Sequence, residues 1–132
     1  MWRILVVDDN PNNCMLLVST LEGLAECDVA ENGEEALAAY DKSLAQQKFY
    51  DAILLDIAMP GIDGVEVLRR IRSKEEQAAT PQGKAIPIFM VTAHKAPFMD
   101  SFNTGCDDYI LKPIEPDKVI IKIKDRLENP AS

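Results

Sequence analysis

Ala52-Ile53-Leu54-Leu55-Asp56-Ile57-Ala58-Met59-Pro60-Gly61 runs four apolar residues into a single carboxylate and then into a Pro-Gly pair. An uninterrupted apolar run of this length suits a parallel strand covered on both faces, since a half-exposed strand alternates apolar and polar residues. The Pro-Gly pair turns the chain sharply just beyond it. Three more runs have the same character, Ile4–Val7, Ile86–Val91 and Tyr109–Leu111, with a weaker one at Cys27–Ala30. Helical patterns with start signals separate them. Asn10 before Pro11 reads as N-cap and first helical residue. Asn32 with Glu35, and Asp63 with Glu66, have capping-box spacing. Pro116 opens a last helix with Val119, Ile120, Ile123 and Leu127 on one face. Five alternations of strand and helix predict an α/β fold, a parallel sheet with helices on both sides joined by right-handed crossovers. The polar stretch Lys74–Ala85, with Pro81 and Gly83, reads as a long surface loop.

The 132 residues fit one domain, and an apolar content of 47% is enough for an ordinary core. A formal net charge of −8 argues against direct binding of a nucleic-acid backbone, which needs a basic footprint, and fits partners that are cations or basic surfaces. Cys14, Cys27 and Cys106 form neither a CxxC pair nor a disulfide framework, and are expected to be buried reduced thiols of a cytoplasmic protein. No stretch has the ~20 apolar residues that span a bilayer. The first apolar run ends in two aspartates, unlike a signal peptide.

Four of the five strands end in a reactive side chain: Asp8 and Asp9 after the first, Asp56 at the third, Thr92 at the fourth and Lys112 after the fifth. Ligands of open parallel sheets bind outside the carboxyl ends of the strands, so these five residues should converge. Three carboxylates repel one another unless a cation intervenes. An all-oxygen set without Cys or His selects a hard cation, and Mg²⁺ suits few protein ligands plus water. An ammonium and a hydroxyl facing a carboxylate beside a metal make a cradle for a phosphoryl group, and an Asp can carry that group covalently.

The motifs Ile4-Leu5-Val6-Val7-Asp8-Asp9-Asn10, Leu54-Leu55-Asp56-Ile57-Ala58-Met59-Pro60-Gly61-Ile62-Asp63-Gly64, Val91-Thr92-Ala93 and Asp108-Tyr109-Ile110-Leu111-Lys112-Pro113 resemble those of two-component response regulator receiver domains. The resemblance covers Arg3 to about Leu127, which marks residues 1–127 as the receiver and 128–132 as a flexible tail. It implies a flavodoxin-like, doubly wound five-stranded sheet of order 2-1-3-4-5. It implies Asp56 as phosphoacceptor from a histidine kinase or histidine phosphotransfer protein. Mg²⁺ would be held by Asp9 and Asp56 directly, by Asp8 mainly through water, and by the Ala58 carbonyl. Thr92, Lys112 and the Ala93 amide would contact the phosphoryl oxygens, with a cis peptide at Lys112–Pro113. The switch would be Thr92 moving toward the phosphoryl group and Tyr109 turning inward, which repacks the face of the fourth helix, fifth strand and fifth helix. That face is also the candidate homodimer surface, and Ile121 points away from the core face of the last helix.

The resemblance also implies that two positions tune the lifetime of the phosphorylated state. Ala58, two residues after Asp56, cannot orient an attacking water, and His94, two after Thr92, is the only histidine and gives no relay. Slow loss of phosphate is therefore expected, in a switch with no turnover beyond its own phosphotransfer. A phosphatase of the haloacid dehalogenase type needs a second Asp where Ala58 stands. A pseudo-receiver that never accepts phosphate would lack one of Asp9, Asp56, Thr92 or Lys112. A nucleotide-binding domain would show a glycine-rich fingerprint after the first strand. The long loop at Lys74–Ala85 resembles receivers of sensor kinases and phosphorelays. No effector segment is visible in these residues, so the output is contact with a downstream protein or an effector carried on a longer chain.

Overall fold

The computed structural model describes residues 1–77, 85–93 and 105–129. In chain order the elements are β1 (Trp2–Val7), α1 (Pro11–Thr20), β2 (Ala25–Ala30), α2 (Gly33–Ala45), β3 (Ala52–Asp56), α3 (Gly64–Gln77), β4 (Ile88–Thr92), β5 (Asp108–Leu111) and α4 (Pro116–Glu128). The strands form one sheet of order β2-β1-β3-β4-β5, and every neighbouring pair is parallel. This is the expected doubly wound architecture. The helix expected between the fourth and fifth strands, His94, most of the expected loop at 74–85 and residues 130–132 of the tail lie outside the described residues.

The sheet separates two apolar layers because side chains alternate across it. Leu5, Val7, Ile53, Leu55, Ile88 and Met90 pack with Val67, Leu68 and Ile71 of α3 and with Ala36 and Tyr40 of α2. Ile4, Val6, Leu54, Phe89, Val91 and Ile110 pack on the other face with Leu17 of α1 and with Val119 and Ile123 of α4. All five residues of β3 and all five of β4 are buried, which is why both read as unbroken apolar runs. β2 is an edge strand with three exposed residues, so its signal is weaker and it begins earlier than read, at Ala25.

Local boundaries follow from hydrogen bonding. Asn10 caps α1, its Oδ1 accepting from the N–H groups of Asn12 at 2.8 Å and Asn13 at 3.3 Å. Asn32 Oδ1 accepts from Glu35 N–H at 2.8 Å, but the Glu35 carboxylate reaches back to the N–H of Glu31 rather than that of Asn32. Asp63 accepts from Glu66 N–H at 2.9 Å, while the Glu66 carboxylate turns outward to Arg69 and Arg70, so this capping box is one-sided. β4 starts at Ile88 and not Ile86: Pro87 has no N–H, and that of Ile86 is taken by Glu75 at 2.7 Å. Lys74 to Gln77 are the last turn of α3 rather than loop, with Lys74 paired to Asp41 of α2 at 3.0 Å. Cys14 and Cys106 are buried as expected, Cys27 only partly, and all three are free.

Candidate phosphoacceptor site

The carboxyl ends of β1 and β3 bring Asp8, Asp9 and Asp56 together, with one oxygen from each carboxylate lying within 4.8 Å of the others. Asp8 and Asp56 are 1% and 2% exposed, so burial sharpens their mutual repulsion, whereas Asp9 faces solvent. Lys112 leans over the pair, its Nζ 3.3 Å from Asp56 Oδ2 and 3.7 Å from Asp8 Oδ2. One ammonium against three carboxylates leaves the group short of positive charge. Burial first, and the Asp8 charge second, push the Asp56 carboxyl from 3.8 up to about 6, against the opposing pull of Lys112.

The backbone around Asp56 is arranged by the turn that follows it. Asp56 Oδ1 accepts from Ala58 N–H at 3.2 Å, and Ile57 N–H donates to Val91 O at 3.1 Å, so the chain stays pinned to β4 just past the carboxylate. Gly61 takes a positive φ of 78°, which the Pro-Gly turn requires. Gly64 N–H then donates to Ile57 O at 2.9 Å and starts α3 directly against the Asp56 backbone. A Cβ at Gly64 would fall 2.2 Å from the Asp56 carbonyl oxygen. The sequence motif contains Gly64, yet nothing in its spacing announces that contact.

Asp8 is held from its own loop. Its Oδ1 accepts from Asn10 N–H at 2.9 Å, and the Cys14 thiol donates to its carbonyl at 3.3 Å. Burial, and then the charges of Asp8, Glu31, Asp56 and Asp9, push that thiol up to about 11, which keeps the proton it donates. Asp8 Oδ2 is the buried side-chain oxygen, among the described residues, that lacks a hydrogen-bond partner. Buried polar atoms are ordinarily satisfied, so an orphaned carboxylate oxygen facing two other carboxylates fits the donor set of a hard-cation site.

Thr92 ends β4 buried at 5% exposure, and its carbonyl accepts from Lys112 N–H at 2.8 Å, which fixes the end of β5 to the end of β4. The Lys112–Pro113 bond is cis. Tyr109 is half-buried, with Lys122 Nζ 5.7 Å from its ring centre. Ala58 and Ala93 are both exposed beside the site. The structure therefore brings Asp8, Asp9, Asp56 and Lys112 into one cluster and places Thr92 at the neighbouring strand end. On the described part of the expected switch face, Leu111 and Ile121 are 42% and 65% exposed. No helix among the described residues is long and apolar enough to cross a membrane.

The family model for the response regulator receiver domain matches residues 4–124. The chain is 45% identical over 125 residues to the transcriptional regulatory protein ResD of Bacillus subtilis (strain 168), an alignment covering 92% of this chain and 46% of that protein. It thus spans about half the length of that relative. Among solved structures it resembles a putative response regulator from Chloroflexus aurantiacus J-10-fl, with a TM-score of 0.80 and 32% identity over 97% of this chain and 98% of that one. It also resembles a chain in the co-crystal structure of the Saccharomyces cerevisiae histidine phosphotransfer signaling protein Ypd1 and the receiver domain of its downstream response regulator Ssk1. There the TM-score is 0.85 and the identity 25%, over 99% of this chain and 92% of that one.

Proposed function

This chain belongs to the response regulator receiver domain family, and from that premise we propose that Asp56 accepts a phosphoryl group from a phosphohistidine on a histidine kinase or histidine phosphotransfer protein. The observation that carries the reading is the cluster itself: a buried carboxylate at a strand end, facing two more carboxylates and an ammonium 3.3 Å away. Asp56 Oδ attacks phosphorus, the P–O bond forms as the donor's P–N bond breaks, and the departing imidazole takes up a proton. Lys112 offsets charge on the transferred oxygens and Thr92 supplies a hydroxyl to them, with the Ala93 amide. Asp8, Asp9, Asp56 and the Ala58 carbonyl fit Mg²⁺, which when bound would neutralise charge developing on the phosphoryl oxygens.

The phosphorylated domain acts as a switch rather than a turnover enzyme. Its output is a population shift in which Thr92 moves toward the phosphoryl group and Tyr109 turns inward, changing the surface around β5 and α4 for a protein target or a second copy. Exposed Leu111 and Ile121 on that surface support this part of the reading. A groove of about 820 Å³ between α1 and β2, lined by Cys14, Met15, Val18 and Val29, reaches Asp8 and offers the donor an apolar seat at the acidic end of the sheet. Residues 1–127 form the phosphoaccepting unit, and the phosphoryl group is long-lived because exposed Ala58 offers nothing to orient water.

Incubation with acetyl phosphate and Mg²⁺ followed by intact-mass measurement tests this. One added phosphoryl group is expected on the wild type and none on Asp56→Asn. An unmodified wild type, or a modified Asp56→Asn protein, refutes the assignment, and loss of phosphate within seconds refutes the long lifetime.

A further inference from the structure

Lys112 reaches Asp56 only if β5 lies in the right register on β4, yet β5 carries little of its own to set that register. It has four residues, hydrogen-bonds on one side only, and buries one of them fully, Ile110. Strand register is ordinarily fixed by a buried face, and a slip of one residue sends every side chain to the opposite face. Here that constraint comes down to Ile110 on one face and a half-buried Tyr109 on the other.

The foot of the strand is held much harder. Asp107 N–H donates to Ile88 O at 2.9 Å, and the Ile88 N–H donates back to Asp107 Oδ2 at 2.8 Å, a two-way exchange between the starts of the two strands. The same carboxylate accepts from Arg72 Nη2 at 3.1 Å and from Arg126 Nη2 at 3.1 Å. Arg72 belongs to α3, on one face of the sheet, and Arg126 to α4, on the other, so Asp107 is gripped from both layers. Arg72 is fixed in turn by Glu75 at 2.7 Å and by the Gly105 carbonyl at 2.9 Å.

We infer that Asp107 is a positioning residue for phosphotransfer, setting the register of β5 so that Lys112, about 17 Å further along the strand, stands over Asp56. The inference rests on the phosphoacceptor reading of Asp56. Nothing at Asp107 touches the reacting atoms, and the effect passes through Lys112.

Asp107→Ala is expected to lower the rate of phosphorylation by acetyl phosphate at least about tenfold, since small misplacements of a catalytic group are costly. The rate is read at saturating Mg²⁺ and at a temperature where circular dichroism shows the variant fully folded. Mg²⁺ affinity should stay within about twofold of wild type, because the metal-facing carboxylates sit on β1 and β3, whereas general loosening of the fold would weaken both together. Asp107→Asn keeps an acceptor for the Ile88 N–H and should recover the rate to within about threefold. Asp107→Ala added to Lys112→Met should cost nothing beyond Lys112→Met alone. A wild-type rate in Asp107→Ala, a parallel loss of Mg²⁺ affinity, no recovery in Asp107→Asn, or an additive loss in the double variant overturns the inference. A wild type that takes no phosphoryl group overturns the phosphoacceptor reading instead.

Discussion

The charge on Asp56 should cost the folded protein stability when no metal is bound, and the cost should depend on pH. Its folded pKa of about 6 lies above the ordinary 3.8. Between those values the native state holds a proton that the unfolded chain has released, so stability falls as pH rises through the window and is level above it. Integrated between 3.8 and about 6, this linkage gives a penalty of about 3 kcal/mol near pH 7.5 and about 1 kcal/mol near pH 4.5. Asp56→Asn removes the charge while keeping an oxygen to accept the Ala58 N–H. In EDTA near pH 7.5 it should therefore be more stable than wild type, by up to about 3 kcal/mol, or up to about 11 °C in melting temperature for a domain of this size. Near pH 4.5 the gap should shrink to about a third. Paired thermal or urea melts at the two pH values measure it. An Asp56→Asn protein no more stable than wild type near pH 7.5, or a gap that does not shrink on acidification, refutes the claim that burial, with the Asp8 charge beside it, sets the chemistry of this carboxylate.

Three further outcomes follow from contacts described above. Mg²⁺ at about 100 times its dissociation constant should stabilise the wild type by about 2.7 kcal/mol, and most of that gain should vanish in Asp9→Asn, read as the Mg²⁺-dependent rise in melting temperature. Gly64→Ala drives a methyl group to 2.2 Å from the Asp56 carbonyl oxygen, which is backbone and cannot step aside, so a urea melt should show a loss of at least about 2 kcal/mol together with slower phosphorylation. Tyr50→Phe removes a 2.7 Å hydrogen bond to Asp28 at the far end of the sheet and should lower stability by about 1 kcal/mol while leaving the phosphorylation rate unchanged.

What the sequence made legible were features carried by neighbouring residues. β1, β3 and β4 are buried on both faces, so their apolar runs are continuous and the polar residue that ends each run stands out. In a parallel sheet all those ends lie along one edge, and that alone brings Asp8, Asp56 and Thr92 to one place. β2 was faint because an edge strand with Glu26, Asp28 and Val29 exposed gives no such run. Contacts between distant segments were not legible. The partners of Asp107 lie 35 residues away at Arg72 and 19 away at Arg126, and in sequence each reads as an ordinary solvated charge. The raised pKa of Asp56 was hidden for the same reason, since it depends on how deeply two strand ends are buried beside each other.

The two ends of the sheet are built on opposite terms, and the contrast bears on how the domain works. At the carboxyl ends three carboxylates face one ammonium, Asp8 Oδ2 has no hydrogen-bond partner, and Asp56 resists ionisation. At the amino ends the polar groups are over-satisfied. Arg3 exchanges hydrogen bonds with Asp51, pairs with Asp28 at 2.9 Å and lies over the Tyr50 ring, while Asp107 holds two arginines and the start of β4. Unsatisfied charge persists in a fold only where surrounding structure over-determines its position. Loosening the contacts at the foot of β5 would let that strand shift and carry Lys112 away from Asp56, while the carboxylates on β1 and β3 keep their place and their hold on a cation. The firmly bonded end thus keeps the opposite end poised, and variants such as Asp107→Ala should weaken the chemistry without touching a residue that performs it.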